Sequence, residues 1–259
     1  MAGIYAHYRF GLAMLDVLPG DFLRTVRRFR GLYDVGLHGP DVFAYYKPLL
    51  KTKYGDLYRK YHSQSGREFF TRVCRSLRLE PAEAGRAYLY GVLANYCLES
   101  ALGSFLAKQE AQGISRKEIE REFDRYLLEL DGKRDAGKWD LSTHMHLTAG
   151  EYETAAKFYP PATEATFRMS LHNMALVTKV RAVPDGHRRN ALQAGITLLK
   201  QEDKGLLMRE APNPRCAQFN EPLMDLYAQA EAQFPVLLEQ IGAHLTYNAP
   251  FDNEFDPTF

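Results

Sequence analysis

The chain has 259 residues, with 33 Lys+Arg against 32 Asp+Glu. A formal charge of +1 excludes a general polyanion binder, so no specific nucleic-acid partner is expected. Gly 19 and Pro 13 are ordinary usage, which excludes collagen-like repeats and low-complexity disorder.

Helical periodicity recurs along the chain and strand signals are scarce, so the expected class is all-α, in a single multi-helical domain. Ile4 to Leu18 reads as a first helix, stopped by Pro19-Gly20. Asp21 to Phe29 reads as a second, with Asp21 as N-cap. Residues 31–40 read as a loop in which Gly39-Pro40 sets a turn, and a short aromatic segment follows from Asp41 to Tyr46. Residues 56–62 and 66–77 read as two helices or one bent helix. Pro81 opens the longest helix, which runs to about Gln112 and stops at Gly113. Ser115 with Glu118 forms a capping-box pattern for a helix ending at Asp131-Gly132.

Residues 133–150 are polar and turn-rich, the best candidate for a mobile or insert region. Helices are expected at about 151–158, 163–182, 186–208 and 221–245. The tail NAPFDNEFDPTF should dock through its three Phe. Residues 1–131 are expected to carry the candidate site, and 132–259 to be a helical remainder packed on the same domain.

Cys74, Cys97 and Cys216 are few, odd in number and widely spaced, which excludes a CxxC zinc site and a disulfide framework. Reduced cysteines and the lack of a signal-peptide pattern give an expected cytoplasmic location. The longest apolar stretch, Ala87 to Leu98, is too short to span a bilayer and suits a buried helix. There is no Gly-rich phosphate loop and no GxSxG.

Within that apolar helix, Asn95 and Glu99 share one face at i, i+4. A buried carboxylate must be paired, hydrogen-bonded or metal-bound. Taken alone, a salt bridge is the plainer reading. His7, Asp41, His62 and Glu120 are further polar residues set among aromatic or apolar neighbours. Each singly reads as a core or surface group.

Together these residues lie in the phrases AHYRFG, LHGPDVFAYY, YHSQSGREFF, YLYGVLANYCLES and ISRKEIEREFDRYLL. In order and spacing they resemble the bacterial zinc-dependent phospholipase C family over about residues 5–131. The resemblance implies a helical fold shared with single-strand nucleases. It also implies a three-zinc cluster and hydrolysis of a phosphodiester beside a lipid head group. It carries ligand roles to His7, Asp41, His62 and Glu120, and Glu99 keeps a carboxylate where the family has Asp. Asp41 is the residue given the catalytic role.

Three ligand positions are replaced. Asn95 and Gly103 stand where the family has histidines, as does Arg116, which cannot coordinate a metal. An Arg116–Glu120 pair is the expected substitute for the ion lost there. One ion at Asp41, His62 and Glu99 is expected to remain, with His7 and Glu99 weakly supporting a second. The cofactor expectation is therefore one or two zinc ions, with weak or altered activity on a phospholipid or other phosphodiester. The alternative is a catalytically inactive relative that binds a phosphorylated or lipid ligand or a protein partner.

Elsewhere, His144 and His146 read as a chance pair in a polar loop. His38 reads equally as a support for Asp41 or as a plain loop histidine. Arg24, Arg27, Arg28 and Arg30 read as a solvated face, with phosphate or membrane contact as the lesser reading.

Overall fold

The computed structural model describes residues 3–47, 52, 54–80, 82–183, 186–198 and 207–259. The first helix, α1 (Ile4–Leu15), stops short of Leu18, and the Asp16 amide closes it on Ala13 and Met14. In α2 (Gly20–Arg28) the cap is Pro19, so Asp21 is not the N-cap. Its carboxylate lies in the first turn, where the helix dipole favours it.

The loop expected at 31–40 is instead α3 (Arg30–Gly36), followed by a 3₁₀ segment, Gly39–Tyr45. Within α3, Gly36 serves contact. A Cβ on Gly36 would lie 2.6 Å from the Tyr88 carbonyl oxygen, and one on Gly91 2.2 Å from that of Tyr33. Two backbones meet there with no room for side chains.

Residues 56–62 and 66–77 resolve into two helices, α4 (Gly55–His62) and α5 (Gly66–Leu79). Ser65 separates them and caps α5 by accepting from the Glu68 amide at 3.2 Å. Next come α6 (Glu83–Ala111) and α7 (Arg116–Leu130). Pro81 lies outside the described residues; Ala82 is the residue that caps α6. Ser115 caps α7 in position only. Its side chain makes no cap bond, and the Glu118 amide bonds the Ser115 carbonyl instead. The capping box is therefore not formed.

Residues 133–150 are irregular but packed. Ala136, His144 and Met145 are buried, and Trp139 donates to the Arg134 carbonyl at 3.0 Å. The remaining helices are α8 (Glu151–Ala156), α9 (Glu164–Arg181), α10 (His187–Leu198) and α11 (Asn220–Tyr247). The end expected for the tenth helix, 199–206, falls outside the described residues.

The protein is all-α, and no strand occurs among the described residues. α6 is the axis, sheathed by α1, α2, α3, α5, α7, α8 and α11. Its residues from Ala87 to Glu99 are buried on every side, which is why its sequence shows no polar face there. The tail packs Phe255 and Phe259 onto Phe70 and Tyr96, with the Phe255 and Tyr96 rings stacked at 5.7 Å, while Phe251 stacks on His244. Arg67 fastens it by donating to the carbonyls of Phe251 and Asp252. The arginines near α2 mostly find local acids: Arg24 with Asp21, Arg28 with Glu83, Arg30 with Asp34. Among the described residues, no helix is long and apolar enough to cross a membrane. All three cysteines are free and buried.

Candidate functional site

Four elements converge at the middle of α6. α1 brings His7, the 3₁₀ segment brings Asp41, α6 brings Asn95 and Glu99, and α7 brings Arg116 and Glu120. The glycine contact between α3 and α6 seats Asp41. Two residues before it, Gly39 has φ +46, and a Cβ there would meet the Asn95 Oδ1 at 2.5 Å. Glycine is required on both counts. Asn95 Nδ2 donates to the Leu37 carbonyl at 3.1 Å, tying the turn to the axis.

His7 Nε2 donates to Glu99 Oε1 at 2.9 Å, and His62 Nε2 to Asp41 Oδ1 at 2.6 Å. Arg116 bridges two acids, with Nη2 2.9 Å from Glu99 Oε2 and Nε 2.8 Å from Glu120 Oε1. The expected Arg116–Glu120 pair is present, and its second bond to Glu99 is an addition. One side of the cluster is open. The side chains of Glu99 and Asp41 are 0% and 1% exposed, whereas that of Arg116 is 27% and His62 14%. Tyr58 covers the open side, its ring 4.4 Å from that of His62.

The electrostatics follow from burial. Burial raises the Asp41 pKa more than His62 lowers it. Burial also pushes the Glu120 carboxyl up to about 8, against the pull of Arg116. For His62 burial favours the neutral ring, but the Asp41 carboxylate outweighs it and the pKa rises to about 9. The same contest, with Glu99 as the acid, raises His7. Three acidic side chains, with Glu120 held toward its neutral form, thus face one guanidinium and two imidazoles held toward the protonated form.

One ligand atom each of His7, Asp41 and Glu99 lies within 4.8 Å of the others, all three residues buried. His62 reaches this group through Asp41. Asn95 Oδ1, one turn before Glu99, is buried and accepts no hydrogen bond. Two carboxylates, one imidazole and an acceptor lacking a donor suit one divalent cation. They do not suit three. Gly103 offers no side chain, and the Arg116 guanidinium occupies the side of Glu99 and Glu120 where another ion would sit.

The structure also brings together a pair that the sequence does not reveal. His38 and His144 are both buried, with their Nε2 atoms 2.7 Å apart, so one ring donates to the other. Burial holds both neutral, and the His144 pKa falls to about 3. His144 stacks on Tyr8 at 4.0 Å, and the His38 ring stands edge-on to His7 at 6.3 Å. His144 is therefore a core residue and not part of a chance polar pair. His38 supports the element carrying Asp41 from behind.

Comparisons with protein-family models, with curated proteins and with solved structures find no match for this chain.

Proposed function

We propose that the chain is a phospholipase C-like protein with a reduced metal centre, holding one divalent ion at His7, Asp41 and Glu99. Zinc is the ion the family resemblance implies, and mixed imidazole and carboxylate donors are compatible with it. The reading adds hydrolysis of a phosphodiester, at a weak or altered rate. What carries it is the convergence of three buried ligand atoms from three separate elements within 4.8 Å.

A bound zinc ion supplies Lewis acidity and a water of lowered pKa. The protein's own groups do the rest. Asp41 accepts the His62 Nε2 hydrogen bond at 2.6 Å, which orients the ring and holds it charged beside the site. Arg116 holds Glu99 and presents a part-exposed cation to a phosphoryl group. Tyr58 shields the group from water.

A second reading rests on the bridge from Arg116 to Glu99 and Glu120. Arg116 partners both acids without a metal ion. The chain is then an inactive relative that binds a phosphorylated or lipid ligand or a protein partner. Elemental analysis after zinc supplementation and dialysis separates the two. About one zinc per chain, with zinc-dependent cleavage of a chromogenic phosphodiester, supports the first. A metal-free protein whose melting temperature ignores chelator supports the second.

A further inference from the structure

A cavity of about 370 Å³ lies between α5, the start of α6 and the end of α8, and shares no residue with the candidate centre. Its volume falls in the ~300–1,000 Å³ range of small-molecule sites. Val73 and Leu77 of α5 and the Phe158 ring form an apolar wall. Arg72, Ser76 and Glu80, spaced four apart, line the cavity as a polar stripe beside it. The half-buried Arg72 guanidinium is fixed by neutral partners only. Its Nη2 donates to the Phe158 carbonyl at 3.0 Å, and its carbon lies 5.1 Å from the Phe69 ring and 5.6 Å from that of Tyr61. That carbonyl takes one of five N–H groups and none of the charge. No carboxylate pairs with Arg72 among the described residues. Glu80 lies two turns further on, ~12 Å along the helix and out of pairing range. Lys157, the neighbour of Phe158, adds a second cation to the lining, and its partner at 3.3 Å is the exposed Glu153 outside the cavity.

We propose that this cavity binds one small amphipathic monoanion, a carboxylate or sulfonate carried on an apolar body. The anionic head takes the remaining N–H groups of Arg72, with the Ser76 hydroxyl one turn along the same stripe. The body lies along Val73, Leu77 and Phe158, where burying it removes apolar surface from water. Glu80 at the far end of the stripe disfavours a second negative charge there. A guanidinium already held by a carbonyl and two rings loses little freedom on binding, so the head site is pre-organised. The site uses none of His7, Asp41 and Glu99, so it stands or falls apart from the metal reading.

The probe is 8-anilinonaphthalene-1-sulfonate, an aromatic monosulfonate whose emission rises in an apolar site. Full-length protein in excess chelator is titrated with the dye, so that no metal ion contributes to anion binding. The expected result is a saturable rise with one dye per chain, displaced by decanoate and at least ten-fold less well by decanol, which has the body without the charge. Arg72→Gln weakens dye binding roughly 10–100-fold, the loss of a charged hydrogen bond. Ser76→Phe, at an exposed position that lines the cavity, fills the space and abolishes binding. Should Arg72→Gln fail to fold, Ser76→Phe and the comparison of decanoate with decanol decide alone. No saturable binding overturns the proposal, as does equal displacement by decanol. Wild-type dye affinity in either variant also overturns it, because the dye then sits elsewhere.

Discussion

Helix α7 carries two buried acid clusters, centred on Glu120 and Glu122, and they are built on opposite principles. Glu122 is saturated. Arg125 donates to both of its oxygens, the Asn213 amide donates at 2.8 Å, and Asn220 Nδ2 at 3.3 Å. Every donor is protein, and the result pins the segment before α11 to α7. The Glu120 side joins Arg116, Glu99, His7, Asp41 and His62, and Asn95 Oδ1 still lacks a donor there. Both sides hold an unpartnered amide oxygen, Asn220 Oδ1 beside Glu122 and Asn95 Oδ1 on the turn before Glu99; what sets the Glu120 side apart is that His7, Asp41 and Glu99 bring three ligand atoms within 4.8 Å.

That contrast can be broken most forcefully at Arg125. Arg125→Ala strands Glu122 in the interior and should cost about 3–5 kcal/mol in chemical denaturation, with or without zinc. Asp41→Asn should do the reverse. It should leave metal-free stability near wild type while weakening zinc binding by more than the ~10–100-fold typical of losing a residue behind a ligand. Competition with a chromophoric chelator measures it. A wild-type zinc affinity in that variant would remove Asp41 from the centre.

Arg116→Met removes the cation shared by Glu99 and Glu120. The metal-free protein should lose about 1–3 kcal/mol, and the rise in melting temperature on adding zinc should exceed that of wild type. If zinc still gives no rise, the two acids do not serve a metal.

The smallest effect concerns pH. His62 rises from 6.5 to about 9 and Glu120 from 4.5 to about 8, so both bind a proton more tightly in the folded state. Their contribution is complete below the unfolded values and is lost as pH rises through the folded ones. The metal-free protein should therefore lose stability as pH rises, from 4.5 to about 8 through Glu120 and from 6.5 to about 9 through His62. Glu120→Gln should flatten that slope and recover about 1–2 kcal/mol at the alkaline end. A slope unchanged in Glu120→Gln would mean Glu120 is ionised in both states.

How much of this was legible in the sequence depends on the range of the interaction. The i, i+4 bond of Arg116 to Glu120 follows from helix geometry, and it is present. The reach of Arg116 to Glu99 crosses between helices, and no local spacing announces it. The tail's aromatics signalled docking because three Phe in a polar setting have to go somewhere. The 31–40 loop reading missed α3, because a glycine such as Gly36 that allows helix contact looks the same in sequence as one that breaks a helix. The His38–His144 bond joins residues more than one hundred positions apart, one of them in a segment whose polar composition conceals its burial. The resemblance grouped these residues but expected the ion at Asp41, His62 and Glu99; in the group within 4.8 Å His7 stands in place of His62, a distance between helices to which periodicity has no access.

The contact at Gly36 and Gly91 has one more consequence, for tolerance of change. Because α3 and α6 meet backbone to backbone, a side chain at either glycine would have to push the two helices apart and carry the Asp41 turn away from Asn95, whose bond to the Leu37 carbonyl spans the same contact.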